Sequence, residues 1–300
     1  MPKIVGPLSL PGNQGRGERT MMTTPPSDVS VAVRRNWDER ARRWLDYDDD
    51  MERFAAPLGE LALERLGPCE GARIIEVGCG TGGCLHTLAQ RVGDTGRVTG
   101  VDIAAPMVEH ARRSVANRAN VEVLHADAST HRFEPEHDAV FSRFGMMFFP
   151  HPESAFRNIA RALRPGGKIA FVCWDGIRTN EWFMITGLAA MSVTRAPLAP
   201  ARRAPFSLSN PERLRELLAQ AGFHSVHVAR RVEKTVMSEE DLETRLKSSL
   251  EVTGLRETLR GLPQDVRRRA VDAVREALWA RVSDGRIALR VGVLVAEATR

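Results

Sequence analysis

Ile74-Ile75-Glu76-Val77 is a short apolar run carrying one acid, and it opens directly into Gly78-Cys79-Gly80-Thr81-Gly82-Gly83. No other feature restricts the fold as much. A run of this length and composition reads as a buried strand. The glycines permit backbone with positive φ and let a ligand approach the chain closely. Cys84 to Arg91 then reads as a helix, whose first N–H groups have no partner of their own and favour anionic groups. Strand, glycine turn and helix in that order open an alternating α/β sheet. Glycine turns of this type also occur without a ligand, and these residues satisfy the GxGxxG dinucleotide fingerprint as well.

The alternation continues downstream. Strands are predicted at Val98–Asp102, Val121–His125, Asp138–Arg143 and Lys168–Trp174, with helices at Pro106–Asn117 and Pro152–Leu163 and a turn at Arg164-Pro165-Gly166-Gly167. Strands alternating with helices imply a parallel sheet covered on both faces. Upstream, Val31 to Leu66 is helical in pattern. Trp37, Ala41, Trp44 and Leu45 share one face, Asp48 to Asp50 are expected to cap a second helix, and Gly67-Pro68 ends it. Residues 175–209 break the rhythm and read as an irregular lid or binding loop. Beyond them a helix from Ser209-Asn210-Pro211 to Gly222, a strand at Phe223–Val228, helices at Glu239–Arg260 and Pro263–Ser283, and a last strand at Ile287–Ala296 are expected. That last strand could return antiparallel into the sheet.

Composition narrows the class. The chain has 300 residues and a formal net charge of +5. Lysine stands only at Lys3, Lys168, Lys234 and Lys247; the rest of the 43 basic residues are arginine, interleaved with acids. This pattern favours solvated surface over a nucleic-acid face. Cys69, Cys79, Cys84 and Cys173 form no CxxC pair and no zinc-spaced set, so buried free thiols and no metal are expected. No apolar run reaches membrane-spanning length. Ile4 to Leu10 is broken by Gly6 and Pro7, which argues against a secretory leader, so a cytoplasmic protein is expected. Residues 1–28 are rich in Pro, Gly, Ser and Thr and read as a disordered tail, with Met21 or Met22 as alternative starts.

Two aspartates extend the ligand argument. Asp102 closes the second strand, about 20 residues beyond the glycine turn, where a carboxylate can accept both ribose hydroxyls of an adenosyl cofactor. Asp127 follows the third strand, where a carboxylate can accept from an adenine amino group. Each alone reads equally well as a helix cap or a solvated strand end. Together with Glu76 to Gly83 they fall on one edge of a parallel sheet, the edge at which such sheets bind ligands.

From about Val31 to Arg300 the chain resembles the class I S-adenosylmethionine-dependent methyltransferases, in the broad group of the ubiquinone/menaquinone biosynthesis enzymes. The resemblance is carried by Glu76-Val77-Gly78-Cys79-Gly80-Thr81-Gly82, Gly100-Val101-Asp102, Ala126-Asp127-Ala128, Phe141 to Phe149, and Leu163-Arg164-Pro165-Gly166-Gly167-Lys168. It implies a Rossmann-like α/β fold: a seven-stranded, mostly parallel sheet with an antiparallel last strand, a helical N-terminal lid (29–70), a cofactor core (71–174), a substrate-lid insertion (175–209) and a C-terminal part with a helical insertion (210–300). It implies S-adenosyl-L-methionine as cofactor. Gly78, Cys79 and Gly80 would lie against its methionine part, with Glu76 positioning the loop. Asp102 would hold the ribose, Ile103 pack on the adenine, and Asp127 and Ala128 meet the adenine edge. The backbone carbonyl of Ser142 would face the ammonium. Ser129 departs from the pattern, where a longer polar side chain is common, which puts one adenosine contact in doubt.

The partner implied is a small-molecule acceptor, methylated on carbon or oxygen. Trp44, Phe144, Trp174 and Trp182 are candidate walls for a dry, aromatic acceptor site, though tryptophan is mostly buried in any fold. His151, Asp46 and Tyr47 are the weak candidates for a general base, and no catalytic residue is assigned. An NAD(P)-dependent oxidoreductase would share the glycine turn, but the lone tyrosine, Tyr47, lies upstream of the fold. An amino-base nucleic-acid methyltransferase would carry an Asp/Asn-Pro-Pro-aromatic run after the fourth strand, where this chain has Ser142-Arg143-Phe144-Gly145. A protein that binds the cofactor without turnover remains open.

Overall fold

The computed structural model describes residues 28–195, 204–252 and 254–300. The expected tail lies outside the described residues except for Asp28, which begins the first helix. Two helices, α1 (Asp28–Leu45) and α2 (Asp48–Leu66), precede the sheet. Then β1 (Arg73–Val77), α3 (Gly83–Val92), β2 (Arg97–Asp102), α4 (Ala105–Ser114), β3 (Val121–His125), β4 (His137–Arg143), α5 (Pro152–Ala162) and β5 (Leu163–Trp174) follow in alternation. The C-terminal part comprises α6 (Glu181–Thr194), α7 (Pro211–Gln220), β6 (His224–Ser238), α8 (Glu239–Val252), α9 (Gly254–Leu259), α10 (Gln264–Trp279) and β7 (Arg286–Thr299). No described helix is long and apolar enough to cross a membrane.

The seven strands form one sheet in the order β3-β2-β1-β4-β5-β7-β6. β1 through β5 pair in parallel, and β7 runs antiparallel to both β5 and β6. This is the mostly parallel sheet with an antiparallel last strand that the sequence implies. β1 sits between β2 and β4, so the chain winds outward one way and then the other, leaving a crevice at the β1/β4 switch point. The central strands are buried on both faces. Ile74, Ile75, Val140, Phe141, Ile169, Ala170 and Phe171 are at most 1% exposed, which explains their continuous apolar runs.

Several local expectations need correction. The segment 175–209 is not irregular throughout its described residues. They contain α6, a 14-residue helix that packs on α10. It is apolar nearly all round, with Leu188 and Met191 exposed, which hides the one-faced periodicity that identifies a surface helix. Asp48 to Asp50 form the first turn of α2 instead of its cap; Tyr47 is the N-cap residue and makes no side-chain cap bond. The Arg164–Gly167 turn is absorbed into β5: Gly166 N–H donates to Arg300 O (2.8 Å) and Arg300 N–H to Gly167 O (2.8 Å). The sixth strand runs ten residues past its expected end, to Ser238, because β7 pairs with it throughout. The helix expected over Glu239–Arg260 is two helices, α8 and α9.

The extended β6–β7 ribbon carries a second hydrophobic cluster. Leu242, Leu246, Leu255, Ala270, Val274 and Leu278 pack there with Ile287 and Leu289 of β7, separate from the core of the sheet. Past Val293, β7 no longer has β5 as a neighbour. Side chains take over. Asn180 Nδ2 donates to Gly292 O (2.9 Å), Gly292 N–H donates to Asn180 Oδ1 (3.1 Å), and Arg290 N–H donates to Glu181 Oε2 (2.7 Å). Asn180 thus imitates the next residue of a neighbouring strand, and it is 2% exposed. Asn180→Ala would leave the buried Gly292 N–H unpaired, while Gly292 O keeps its bond from Asp175 N–H (3.1 Å). It should cost about 1–3 kcal/mol of stability in urea or thermal unfolding; a change within a few tenths of wild type would refute this account.

Candidate active site

The tips of β1, β2 and β3 and the loop after β4 meet in one cavity, roofed by α1 and α2. The glycine turn is built by its own bonds. Gly78 and Cys79 N–H both donate to Val101 O (2.8 and 3.1 Å), and Gly82 N–H donates to Cys79 O (3.0 Å). Gly78 has φ +70°, and a Cβ there would come within 2.9 Å of Gly145 Cα. The β1 and β4 loops therefore touch backbone to backbone. Ser142 Oγ holds them together by donating to Val77 O (2.7 Å) and accepting from Gly145 N–H (3.2 Å). At Gly80, φ is +55° and a Cβ would meet nothing within 4 Å. Because Gly80 lines the cavity, a side chain there would occupy the space above the loop.

Asp102 is the organising carboxylate. Its Oδ2 accepts from Gly80 N–H (2.9 Å) and its Oδ1 from Ala104 N–H (2.9 Å). Each carboxylate oxygen has two lone pairs, so acceptor capacity remains for hydroxyl donors. Burial pushes its carboxyl above the ordinary value, and the backbone N–H groups work against that shift. Asp127 Oδ1 accepts from both Ser129 N–H (2.9 Å) and Ser129 Oγ–H (2.6 Å). Ala128 O is fixed by Asn158 Nδ2 (3.0 Å).

Glu76 is 2% exposed, and its Oε2 has no hydrogen-bond partner among the described residues. Burial raises its carboxyl to about 8, against the opposing pull of Arg143. Arg143, at the end of β4, forks onto Glu52 of α2 with Nη1–Oε1 2.9 Å and Nη2–Oε2 2.5 Å. Burial alone would lower the arginine, but the fork overrides it and holds the guanidinium charged. Two glycines make room for the pair: a Cβ at Gly59 would lie 2.7 Å from Arg143 Cδ, and one at Gly83 2.6 Å from Glu52 Cδ. α2 is thus pinned by an ion pair to the strand tip beneath it. The thiols of Cys79 and Cys84 are pushed up by burial and stay protonated.

The remaining wall is aromatic. Phe144 stacks on Trp174 with ring centroids 4.3 Å apart, Phe183 meets Trp174 edge-on at 5.5 Å, and Trp37 meets Phe148 edge-on at 4.8 Å. Phe144 has φ +58°, a left-handed conformation that costs a bulky residue about 1–3 kcal/mol. Its N–H donates to Val172 O (3.0 Å) and its ring rests on Trp174, so surrounding contacts impose the strain.

Of the residues singled out from sequence, Glu76, Gly78, Cys79, Gly80, Asp102, Ile103, Asp127, Ala128, Trp44, Phe144 and Trp174 all line this cavity. Two do not. Ser142 lies behind the wall, fully buried, as the brace between loops. Trp182 packs into the second cluster, and its Nε1 donates to Ser249 Oγ (3.0 Å). Neighbouring residues on a helix point roughly 100° apart; Phe183 takes the cavity side and Trp182 the other. His151 is exposed, and neither it, Asp46 nor Tyr47 lines the cavity. Sequence reasoning missed Arg143, Glu52, Trp37 and Phe54. Trp37 could have been found, since it shares the helical face of Trp44, whereas the pairing of Arg143 with Glu52 has no local signal.

The family model described as "Methyltransferase domain" matches residues 74–167, the stretch from β1 through the β5 turn. Over that stretch the chain is similar to methyltransferases. Aklanonic acid methyltransferase DauC of Streptomyces sp. (strain C5) is 35% identical over 128 residues, 42% of this chain and 58% of that enzyme. Demethylmenaquinone methyltransferase of Staphylococcus aureus is 27% identical over 179 residues, 55% of this chain and 73% of its own length. Among solved structures, the YcgJ protein of Bacillus subtilis superposes with a TM-score of 0.52 at 15% identity, covering 80% of this chain and 97% of that one. Phosphoethanolamine N-methyltransferase 2 of Haemonchus contortus, in complex with S-adenosylhomocysteine, gives 0.50 at 22% identity, covering 81% of this chain. The matched part spans 52% of the Haemonchus chain. The solved structures share the fold, and the chain spans 58% of the length of the Streptomyces enzyme that it matches.

The protonation of Glu76 has a stability consequence. The unfolded carboxyl titrates near 4.5 and the folded one near 8, so the folded state holds an extra proton between those values. Its stability therefore falls as pH rises through that window, and the full penalty is present above it. Glu76→Gln removes the penalty. Its melting temperature should gain most on wild type at about pH 9 and least at about pH 5; an offset independent of pH would refute the assignment.

Proposed function

We propose that the chain is an enzyme that transfers the methyl group of S-adenosylmethionine to a small organic acceptor, on carbon or oxygen. One observation carries this reading: the glycine turn, Asp102 and Asp127 open into the same cavity as a wall of stacked aromatic rings. The residues present suit the cofactor. Gly80 leaves space above its loop, Asp102 has acceptor capacity for two hydroxyls, and the partnerless Glu76 Oε2 offers an acceptor for a cationic group. In this reading residues 29–70 roof the site, 71–174 hold the cofactor and 210–300 complete the sheet. Phe183 and Pro205 bring the 175–209 segment to the cavity wall.

When bound, S-adenosylmethionine supplies a methyl group already activated by the sulfonium charge. The chain's part is to align an acceptor lone pair behind that methyl carbon; positioning can provide about 7–11 kcal/mol of the barrier. Phe144, Trp174 and Phe183 exclude water from the reacting atoms. A charge that disperses in the transition state favours such a dry wall.

Calorimetry should show S-adenosylhomocysteine binding and NADH not binding. Asp102→Ala should weaken S-adenosylhomocysteine at least tenfold, about 1.4 kcal/mol. Label from radioactive S-adenosylmethionine should pass to a small molecule in a cell extract. Tight NADH binding would overturn the cofactor assignment, and cofactor binding without any label transfer would leave a binding protein instead of an enzyme.

A further inference from the structure

Bases and acids are interleaved along the C-terminal sequence, but the pleat of the β6–β7 ribbon sorts them by face. In β6, Arg230, Val232, Lys234 and Val236 stand at alternate positions and point to one side. Their neighbours on β7 point the same way: Lys234 pairs with Arg290, Val236 with Ala288 and Ser238 with Arg286. The four bases, both valines and Ala288 are exposed, the valines by more than half. Glu233 and Met237 of β6, with Ile287 and Leu289 of β7, turn to the other side, which the second hydrophobic cluster occupies. Every ionisable side chain that these strands carry on the solvent side, from Arg230 to Ser238 and from Arg286 to Arg290, is therefore basic. Like charges directly opposite each other on neighbouring strands repel, and Lys234 is set opposite Arg290. Asp175 reaches Arg230 (2.9 Å) and Glu181 reaches Arg290 (2.9 Å), yet both arginine side chains stay more than half exposed. Two acids against four bases leave the face positive. Its place is also defined. β6 runs parallel to β5, because β7 is antiparallel to both. The ribbon leaves β5 at the Trp174–Val293 pair, and Trp174 lines the cavity. It thus projects from the rim of the sheet on which the cavity opens.

We propose that this ribbon face docks the protein on an anionic lipid surface, with Arg230, Lys234, Arg286 and Arg290 meeting headgroup phosphates and Val232 and Val236 entering the headgroup–acyl boundary. The inference is independent of the methyl-transfer reading. A lipid interface takes cations and aliphatic side chains together. Nucleic acid would satisfy the bases but not the valines, and the face offers no aromatic ring on which a nucleobase could stack. A two-stranded face suits a surface broader than itself, and each basic residue near such a surface adds an attraction that salt screens.

The test is co-sedimentation of the full chain with vesicles of phosphatidylcholine alone and of phosphatidylcholine carrying about one-third phosphatidylglycerol. The anionic vesicles should bind at least tenfold more tightly at low salt, and about 0.5 M salt should erase the difference. Lys234→Glu with Arg286→Glu should abolish the preference. Arg267→Glu with Arg268→Glu, an equal change of net charge at exposed positions of α10, should leave it within twofold. Val232→Ser with Val236→Ser should weaken binding to the anionic vesicles at least threefold. Lys234→Gln should lower that binding by a smaller step, which keeps the test decisive where a charge reversal fails to fold by circular dichroism. Equal affinity for the two vesicles, or no affinity for either, overturns the inference. Equal losses from the ribbon and α10 reversals overturn it by reducing the binding to net charge. Capture of a DNA duplex or of polyglutamate at lower concentration than vesicles would also overturn it, by making the partner a nucleic acid or an acidic protein.

Discussion

The close approach of Gly78 to Gly145 governs the rest of the site. Two backbones can lie that near only if neither residue has a Cβ, and a side chain on either would drive the β1 and β4 loops apart. Ser142 Oγ then fastens Val77 to Gly145 across the junction. The junction sits where the sheet reverses its winding, so its tightness sets the depth of the crevice. Asp102 reads that geometry out to the next strand by accepting from Gly80, and Phe144 is forced into its strained conformation one residue before Gly145. Glycine turn and aromatic wall are in this sense two sides of a single packing constraint.

Above the crevice, ion pairs do the work that apolar packing does below it. Glu52 ties α2 to Arg143. On the other side of α2, the buried Asp50 meets Arg245 of α8 (3.4 Å) and accepts from Ser248 Oγ (2.9 Å), while Arg245 lies 4.2 Å over the Phe54 ring. α2 is therefore held between the sheet and the second cluster by charges that are largely withdrawn from water. Removing one partner of such a pair costs far more than the pair gains, because the remaining charge stays buried. This arrangement specifies the position of the roof more than it adds stability.

Much of this was legible in the sequence where local rules suffice. Both the order of strands and helices through Trp174 and the glycine turn follow from periodicity and from residues that tolerate positive φ. Asp102 and Asp127 could be placed at strand ends by counting. What stayed hidden depends on tertiary partners. α6 has no polar face to betray a helix, because apolar Leu188 and Met191 stand even on its exposed side. β6 exceeds its apolar start because β7 continues beside it, and alternation fades where Arg230, Arg231, Glu233 and Lys234 crowd an edge. Trp182 and Phe183 were indistinguishable on paper, and only the helical turn separates their destinations. The resemblance to known methyltransferases added the cofactor, which spacing alone left shared with dinucleotides.

The side chains of Asn180 and Glu181 along β7 bear on more than local order. A two-stranded ribbon that outruns its sheet offers a row of unsatisfied donors and acceptors to any passing strand, including one from another copy of the chain. Here that row is sealed at Gly292 and Arg290 by the two residues that lead into α6. The same short segment that delivers Phe183 to the cavity thus also caps the free edge of the ribbon. Sequence drift in it would disturb two places at once, the wall of the cavity and the hem of the sheet.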